Sequence, residues 1–185
     1  MAEASLNSLN PWRTLDSRVV YENPWITVRE DQVIRPDGKP GIYSVVEIPV
    51  SAGVVALDTS NRIALVSQWR YTLGKMSLEI PTGGSERGES PLEAARRELA
   101  EEAGLEAGEW TPLGSIDNSN GSTTDVSHIF LARALAQLPG GQRRQGDEEI
   151  EVVWLPFEEA VERVLTGEIT ESVSVAGILK AHLVP

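Results

Sequence analysis

The sequence predicts a protein of the α+β, or mixed α/β, class, in which a mixed sheet carries helices on its faces. The first observation is segment order: β-type segments come first and are followed by one helix, further β-type segments and two more helices. The second is that 41% of the 185 residues are hydrophobic, which is enough to fill a core. This length predicts one domain, with room for a small appendage.

β-type segments fill most of the N-terminal part of the chain. Asn23-Pro24 separates the first two segments, and Pro36-Asp37-Gly38 predicts a hairpin turn before the third. Residues 58–61 predict the turn of a second hairpin. The strands expected on this basis are 18–21, 25–34, 42–47, 53–57 and 63–69.

One helix is predicted over residues 91–103 by the signals at its ends. Ser90 is a favourable N-cap, Pro91 suits the first helical position, and Glu93 completes a capping box. Gly104 provides a left-handed stop. Between these ends, apolar residues at helical spacing form one stripe, which consists of Leu92, Ala95, Leu99 and Ala103.

The C-terminal part of the chain is predicted to contain strands and then two helices. Residues 157–165 and 173–183 have the apolar spacing of helices, with Gly167 between them. Residues 137–146 include Pro139-Gly140-Gly141 and predict a mobile loop. The strands expected here are 110–116, 127–132 and 150–155.

Glu98, Glu101 and Glu102 share one face of the predicted helix, because they are spaced i, i+3 and i+4. Like charges on adjacent turns repel, so this face favours a cation, and Mg²⁺ prefers oxygen ligands of this kind. Residues 79–109 contain nine Glu, three Arg and no Lys, and so carry −6 of the chain's net −12. The alternative is a solvated acidic surface. Such a surface would not require five residues between Gly83 and Glu89, or seven between Glu89 and Arg97.

Composition argues against several classes of protein. The chain has no cysteine, so a disulfide framework and a thiolate zinc site are excluded. The net charge of −12 argues against a nucleic-acid groove. No apolar stretch is long enough for a membrane span, and the N-terminus lacks the features of a signal peptide. These observations predict a cytoplasmic protein with no membrane or nucleic-acid partner.

The acidic stretch contains every fixed position of the Nudix box, G-x5-E-x7-R-E-U-x-E-E-x-G-U, in which U is aliphatic. The matching positions are Gly83, Glu89, Arg97, Glu98, Leu99, Glu101, Glu102, Gly104 and Leu105. The chain therefore resembles the Nudix hydrolases, a family that cleaves nucleoside diphosphates linked to another moiety and uses a divalent metal. The resemblance implies the Nudix α/β/α sandwich, in which a mixed sheet lies between helices.

Over residues 12–180 the chain is also similar to the ADP-ribose pyrophosphatase branch, which acts on nucleoside diphosphate sugars. The similar segments are Asn23-Pro24-Trp25-Ile26, Gln68-Trp69-Arg70-Tyr71, Leu78-Glu79-Ile80-Pro81-Thr82-Gly83-Gly84 and Gly146-Asp147-Glu148-Glu149-Ile150. The resemblance implies a small N-terminal antiparallel sheet over residues 1–48, a Nudix catalytic domain over residues 49–185, and a homodimer formed through the sheet.

One departure concerns the substrate. Members of this branch commonly carry a proline about 16 residues beyond the box, whereas this chain has Ser119-Asn120-Gly121 there. ADP-ribose is favoured as the nucleotide-sugar substrate, and the departure leaves GDP-mannose or another nucleotide sugar open.

The family's metal site carries over to matching positions. The implied ligands of Mg²⁺, for which Mn²⁺ can substitute, are Glu98, Glu101, Glu102 and the backbone carbonyl of Thr82. Glu98 and Glu102 are the principal ligands. Arg97 is implied to hold the helix carboxylates in place by ion pairing.

The resemblance also implies substrate contacts. Arg70 occupies the position of a substrate-contacting arginine, and a guanidinium suits bidentate phosphate binding. A surface ion pair is the alternative for Arg70. Glu79 is implied to support the metal or the substrate. The alternative is that Glu79 is only a solvated residue at the end of a strand. Trp12 and Trp25 suit base stacking or a dimer interface, with hairpin or core packing as the alternative.

The reaction requires a carboxylate that takes a proton from the attacking water. In this branch the general base often lies on a late loop. Glu148 is favoured for that role, followed by Glu149, with an ordinary acidic turn as the alternative.

Two other functions are kept open. The first is a Nudix enzyme acting on a dinucleoside polyphosphate or a damaged nucleotide, although small members of that kind usually lack an N-terminal sheet. The second is a non-catalytic Nudix-like binding module. Such modules usually lose carboxylates of the box, and this chain has all of them.

Overall fold

The structure is a computed structural model that describes residues 10–142 and 149–184, and these form two units. The small unit contains the described residues up to Pro49 together with Ser119–Asp125. The large unit contains Val50–Asn118 and the described residues from Val126 onward. A three-stranded sheet forms the small unit, and a seven-stranded sheet forms the centre of the large one.

The small unit is an antiparallel sheet of β1 (Arg13–Glu22), β2 (Thr27–Ile34) and β3 (Pro40–Glu47), in the order β1-β2-β3. The predicted hairpin between β2 and β3 is confirmed. Gly38 in its turn has a φ of 79°, which glycine adopts without a steric penalty. β1 begins earlier than the sequence predicts, because its polar first residues pair with the end of β2.

Residues 119–125 pair with β3 in the same unit. The Val46 N–H donates to the Ser122 carbonyl at 2.9 Å, and the Val46 carbonyl accepts from the Thr124 N–H at 3.0 Å. The segment in which the sequence departs from the ADP-ribose pyrophosphatase pattern therefore has a structural role in the small unit.

The large unit is built on a mixed sheet, as predicted. Its strands are β4 (Ser51–Leu57), β5 (Arg62–Arg70), β6 (Lys75–Glu79), β7 (Thr82–Gly84), β8 (Leu105–Asp117), β9 (Val126–Gln137) and β10 (Glu151–Pro156). The order is β10-β5-β4-β9-β8, with β6 on β5 and β7 on β4. β4 and β9 are parallel, and the other pairs are antiparallel.

Helices lie on both faces of this sheet, so the predicted α/β/α sandwich is confirmed. The helices are α1 (Pro91–Ala103), α2 (Phe157–Leu165) and α3 (Ser172–Leu183). Alternate residues of β4 and β5 supply two separate cores. One core packs Val55 and Leu65 against α2 and α3, and the other packs Val54 and Ala64 against α1.

The predicted helix over residues 91–103 is confirmed at both ends. Ser90 and Glu93 form the capping box, in which the Ser90 N–H donates to Glu93 Oε2 at 2.8 Å. Gly104 ends the helix with a φ of 67°.

Among the described residues, no helix is long and apolar enough to cross a membrane.

Candidate active site

Helix α1 carries carboxylates on the edge of its buried face. Ala94, Ala95 and Leu99 pack into the core, and this packing fixes the rotation of the helix. At that rotation Glu98 and Glu102 are only 7% and 9% exposed. Carboxylates are rarely buried to this degree unless they are paired or bind a cation.

Arg97 connects residues 84–89, which precede α1, to the acidic face of that helix. Its Nε and Nη2 groups both donate to Glu89 at 3.1 Å, and Nη2 also donates to the Gly84 carbonyl at 2.7 Å. Nη1 donates to Glu98 at 2.6 Å and to Glu101 at 3.0 Å. All five N–H donors of a guanidinium are therefore used, which lysine cannot reproduce.

The surroundings of these side chains shift the pKa values of Glu89 and Glu98 in opposite directions. Arg97 lowers the pKa of Glu89 through hydrogen bonds, and the carboxylates around Arg97 raise the pKa of the guanidinium. Burial raises the pKa of Glu98, although Arg97 opposes the rise. The neighbouring charges of Glu101 and Glu89 add to the rise. The ionised form of Glu98 is therefore costly here, and additional positive charge would stabilise it.

Gly83 lies directly against the Glu98 carboxylate. A Cβ atom on Gly83 would be 2.2 Å from both Cδ and Oε1 of Glu98. No side chain fits without moving this carboxylate. Gly83 is therefore required because of close contact and not because of its backbone conformation.

Thr82 and Glu102 join β7 to α1. The Thr82 N–H donates to Glu102 Oε2 at 2.9 Å. The Thr82 hydroxyl donates to the Ile80 carbonyl at 3.0 Å. The segment before Gly83 is thereby held beside the last turn of α1.

Arg70 and Glu79 form a bidentate ion pair between the paired strands β5 and β6. Arg70 Nε donates to Glu79 Oε1 at 2.9 Å, and Nη2 donates to Oε2. Glu79 is 1% exposed. The pair raises the pKa of Arg70, and the charges of Glu102 and Glu171 add to the rise. Two of the three guanidinium nitrogens thus face Glu79, a partner that the sequence did not predict.

The remaining predicted residues lie in other parts of the chain. Glu148 and Asp147 lie outside the described residues. Glu149 is exposed and lies just before β10. Trp25 belongs to the small unit, where it is 74% exposed beside an open groove of about 370 Å³ between the β1–β2 turn and the end of β3.

Sequence reasoning missed three residues that organise this region. Gln142 Nε2 donates to the Glu102 carbonyl at 2.5 Å and to the Ile150 carbonyl at 3.5 Å, so it links α1 to the start of β10. Glu171 and Ser174, at the start of α3, hold the segment before β7. No local sequence signal marks Gln142. Glu171 precedes a helix, and an acidic residue at that position indicates only a cap.

The donor set fits a divalent cation by its chemistry. Glu98, Glu101 and Glu102 supply the carboxylate oxygens that hard cations prefer, and Glu98 gains from added positive charge. In the part of the chain that the structure describes, no three acidic or histidine side chains already converge as a cation cage. Glu98 and Glu101 face Arg97, and Glu102 accepts from Thr82.

Two family models match the chain, one after the other. The model of the Nucleoside diphosphate sugar hydrolase N-terminal domain matches residues 12–46, and the model of the NUDIX domain matches residues 47–173. The two matches adjoin and together include almost all described residues.

Two curated relatives and one solved structure resemble this chain over most of its length. The ADP-ribose pyrophosphatase of Mycobacterium tuberculosis is 33% identical over 174 residues, 94% of this chain and 84% of that protein. The ADP-ribose pyrophosphatase of Bacillus subtilis is 30% identical over 160 residues, 86% of each chain. The structure titled "Crystal structure of ADP compounds hydrolase" superposes with a TM-score of 0.81 over 92% of each chain. At 19% identity, this last likeness concerns the fold alone.

Proposed function

This chain belongs to the NUDIX family, and we propose that it hydrolyses the diphosphate bond of a nucleoside diphosphate sugar to two monophosphates, with ADP-ribose as the favoured substrate. One observation carries the proposal: Glu98 and Glu102 are buried on the edge of α1, against Gly83 and Thr82. A structural helix gains nothing from such burial. The N-terminal domain match and the two ADP-ribose pyrophosphatases support the substrate class.

We assign the binding of a divalent cation, Mg²⁺ or in its place Mn²⁺, to Glu98, Glu101, Glu102 and the Thr82 carbonyl. When bound, the cation supplies charge neutralisation for the diphosphate and lowers the pKa of a water. The carboxylates must lie at fixed positions for this to succeed. Arg97 holds them there, because its guanidinium bonds Glu98 and Glu101 and also Glu89 and the Gly84 carbonyl.

The other site residues bind substrate or move a proton. Arg70 is assigned to a substrate phosphate through Nη1, while Glu79 holds the other two nitrogens in place. Glu148 or Glu149 is assigned as the general base. Gln142 supports the second choice, because it links the residue after Glu149 to the backbone of Glu102.

The reaction is tested by supplying a panel of nucleotides with Mg²⁺ in ¹⁸O-labelled water. We expect ADP-ribose to be the fastest substrate and to give AMP and ribose 5-phosphate, with label on a phosphate of one product. Attack at a sugar carbon would instead need two carboxylates flanking an acetal. Release of an intact nucleoside diphosphate, with label on the sugar, would contradict the proposed chemistry.

The other members of the panel decide the substrate. GDP-mannose, UDP-glucose, diadenosine polyphosphates and nucleoside triphosphates are compared by kcat/KM. Preference for GDP-mannose would keep the reaction and change the sugar nucleotide. Preference for a polyphosphate would favour a different Nudix activity. Binding without turnover of any of them would indicate a non-catalytic module.

We also propose that the chain forms a homodimer through the small unit. All of β1 is exposed, and large apolar side chains are among its exposed residues, which are Leu15, Val19, Val20 and Tyr21. Exposed apolar patches of this kind mark contact surfaces. Trp25 belongs to the same unit. It is assigned either to this interface or to stacking on the nucleobase of the substrate.

Sedimentation at micromolar concentration is expected to give a dimer. Val19→Lys should shift the protein toward monomer, because it places a charge in the apolar patch. Thr59→Lys, in the exposed β4–β5 turn of the large unit, makes the same change in net charge and should leave the dimer intact. A monomeric wild-type protein would refute the proposal.

A further inference from the structure

Residues 80–82, between β6 and β7, are held by side chains from two helices. The Ile80 N–H donates to Ser174 Oγ of α3 at 2.9 Å. Pro81 has no N–H. The Thr82 N–H donates to Glu102 Oε2 of α1 at 2.9 Å. One end of the segment is thus fixed by α3 and the other by the carboxylate assigned to the cation.

Ser174 is itself held in a single orientation. It is fully buried, and its hydroxyl donates to Glu171 Oε2 at 2.7 Å while it accepts from Ile80. Glu171 also caps α3, because its carboxylate accepts the N–H groups of Val173 and Ser174 at 2.8 and 2.7 Å. The cap of α3 and the support of residues 80–82 are therefore one hydrogen-bond network.

Close packing surrounds this network. A Cβ atom on Gly53 would lie 2.7 Å from Val173 Cγ1 and 3.0 Å from Thr82 Oγ1. A Cβ atom on Gly177 would lie 3.1 Å from Ile80 Cδ1. Because β4 and α3 contact residues 80–82 this closely, a displaced α3 terminus also displaces the segment.

We propose that Glu171 and Ser174 are positioning residues for the Glu102 carboxylate, which they reach through residues 80–82. The inference rests on the proposed function, since it concerns the carboxylate that we assign to the cation. Outer hydrogen-bond partners of metal ligands typically change metal affinity by about 10–100-fold when they are removed.

The decisive variant is Ser174→Ala, which leaves the Ile80 N–H without its acceptor. Mn²⁺ binding is measured on the substrate-free protein by electron paramagnetic resonance. We expect the dissociation constant to rise about tenfold. Amide hydrogen exchange should become faster at Thr82 as well as at Ile80, because the effect extends along the segment.

Ser60→Ala is the matched control. Ser60 is exposed in the β4–β5 turn, where its backbone N–H donates to Asp58 Oδ1 at 2.8 Å, so the same hydroxyl is removed outside the network. This variant should bind Mn²⁺ as the wild type does. Val161→Ala in α2 is a second control, because it removes core volume and lowers stability without altering the network.

The results separate positioning from general destabilisation. An unchanged Mn²⁺ dissociation constant in folded Ser174→Ala overturns the inference. So does an equal rise in Val161→Ala. If Ser174→Ala does not fold, Glu171→Gln weakens the same network with the serine in place and should raise the dissociation constant, and an unchanged constant overturns the inference.

Failure of the proposed function gives a different result. A wild type that binds Mn²⁺ but cleaves no nucleotide overturns the proposed activity, and the Ser174→Ala comparison still decides the positioning role. A wild type that binds no Mn²⁺ overturns both.

Discussion

Replacing Glu102 with glutamine is expected to lower kcat for ADP-ribose by about 10²–10³-fold while the protein stays folded. Glutamine has the same size and can still accept the Thr82 N–H bond, but it lacks the negative charge. A bound cation contributes several kcal/mol to transition-state stabilisation. About 1.4 kcal/mol corresponds to a tenfold change in rate, which sets the expected size of the loss. Steady-state kinetics and thermal unfolding measure the two effects.

Glu106→Gln is the matched control for this variant. Glu106 lies four positions later on β8 and is exposed, so the same chemical change occurs away from the buried face. Its kcat should equal that of the wild type. Unchanged activity in folded Glu102→Gln would eliminate the metal-site hypothesis, whatever the control shows.

Replacing Gly83 with alanine is expected to lower kcat by about a hundredfold with a much smaller effect on stability. The new methyl group would lie 2.2 Å from Oε1 of Glu98, so the carboxylate must move. The end of a glutamate side chain can move without unfolding the protein, which is why the stability effect is small. A misplacement of about 1 Å in a catalytic site can cost about 10²-fold in rate.

Gly84→Ala provides a control one residue away. A Cβ atom on Gly84 meets no atom within 4 Å, and its carbonyl remains able to accept from Arg97. We expect this variant to keep the kcat and the thermal stability of the wild type. Equal loss of activity in the two variants would indicate loop flexibility as the cause, and would rule out the contact between Gly83 and Glu98 as the reason for the glycine.

Local signals allowed the prediction of the helix that carries the site. Ser90, Pro91, Glu93 and Gly104 act within a few residues of the helix ends, so the predicted bounds of 91–103 match the structure. Helix 157–165 was predicted from another local signal, the apolar spacing of its residues. Hydrogen bonds of a helix join near neighbours in the chain, and the sequence therefore contains the information directly.

The strands were predicted less well, because their partners are distant in the chain. β7 (Thr82–Gly84) was not predicted, since Gly83 and Gly84 have low strand propensity. It exists because Gly53 and its neighbours in β4 pair with it. β6 (Lys75–Glu79) was missed as well, and it forms by pairing with β5. β8 is longer than expected for the same reason, since its first residues pair with the end of β9.

The sequence by itself determined which carboxylates face together, because Glu98, Glu101 and Glu102 are fixed by helix geometry. Only the tertiary structure decided how each is held. It brought Arg97 to Glu89, the Thr82 N–H to Glu102, and the Glu98 carboxylate against Gly83. It also joined Ser174 to Ile80, although 94 residues separate them. Spacing along one helix is local, whereas these contacts depend on how the sheet and the helices pack, and no short stretch of sequence specifies that packing.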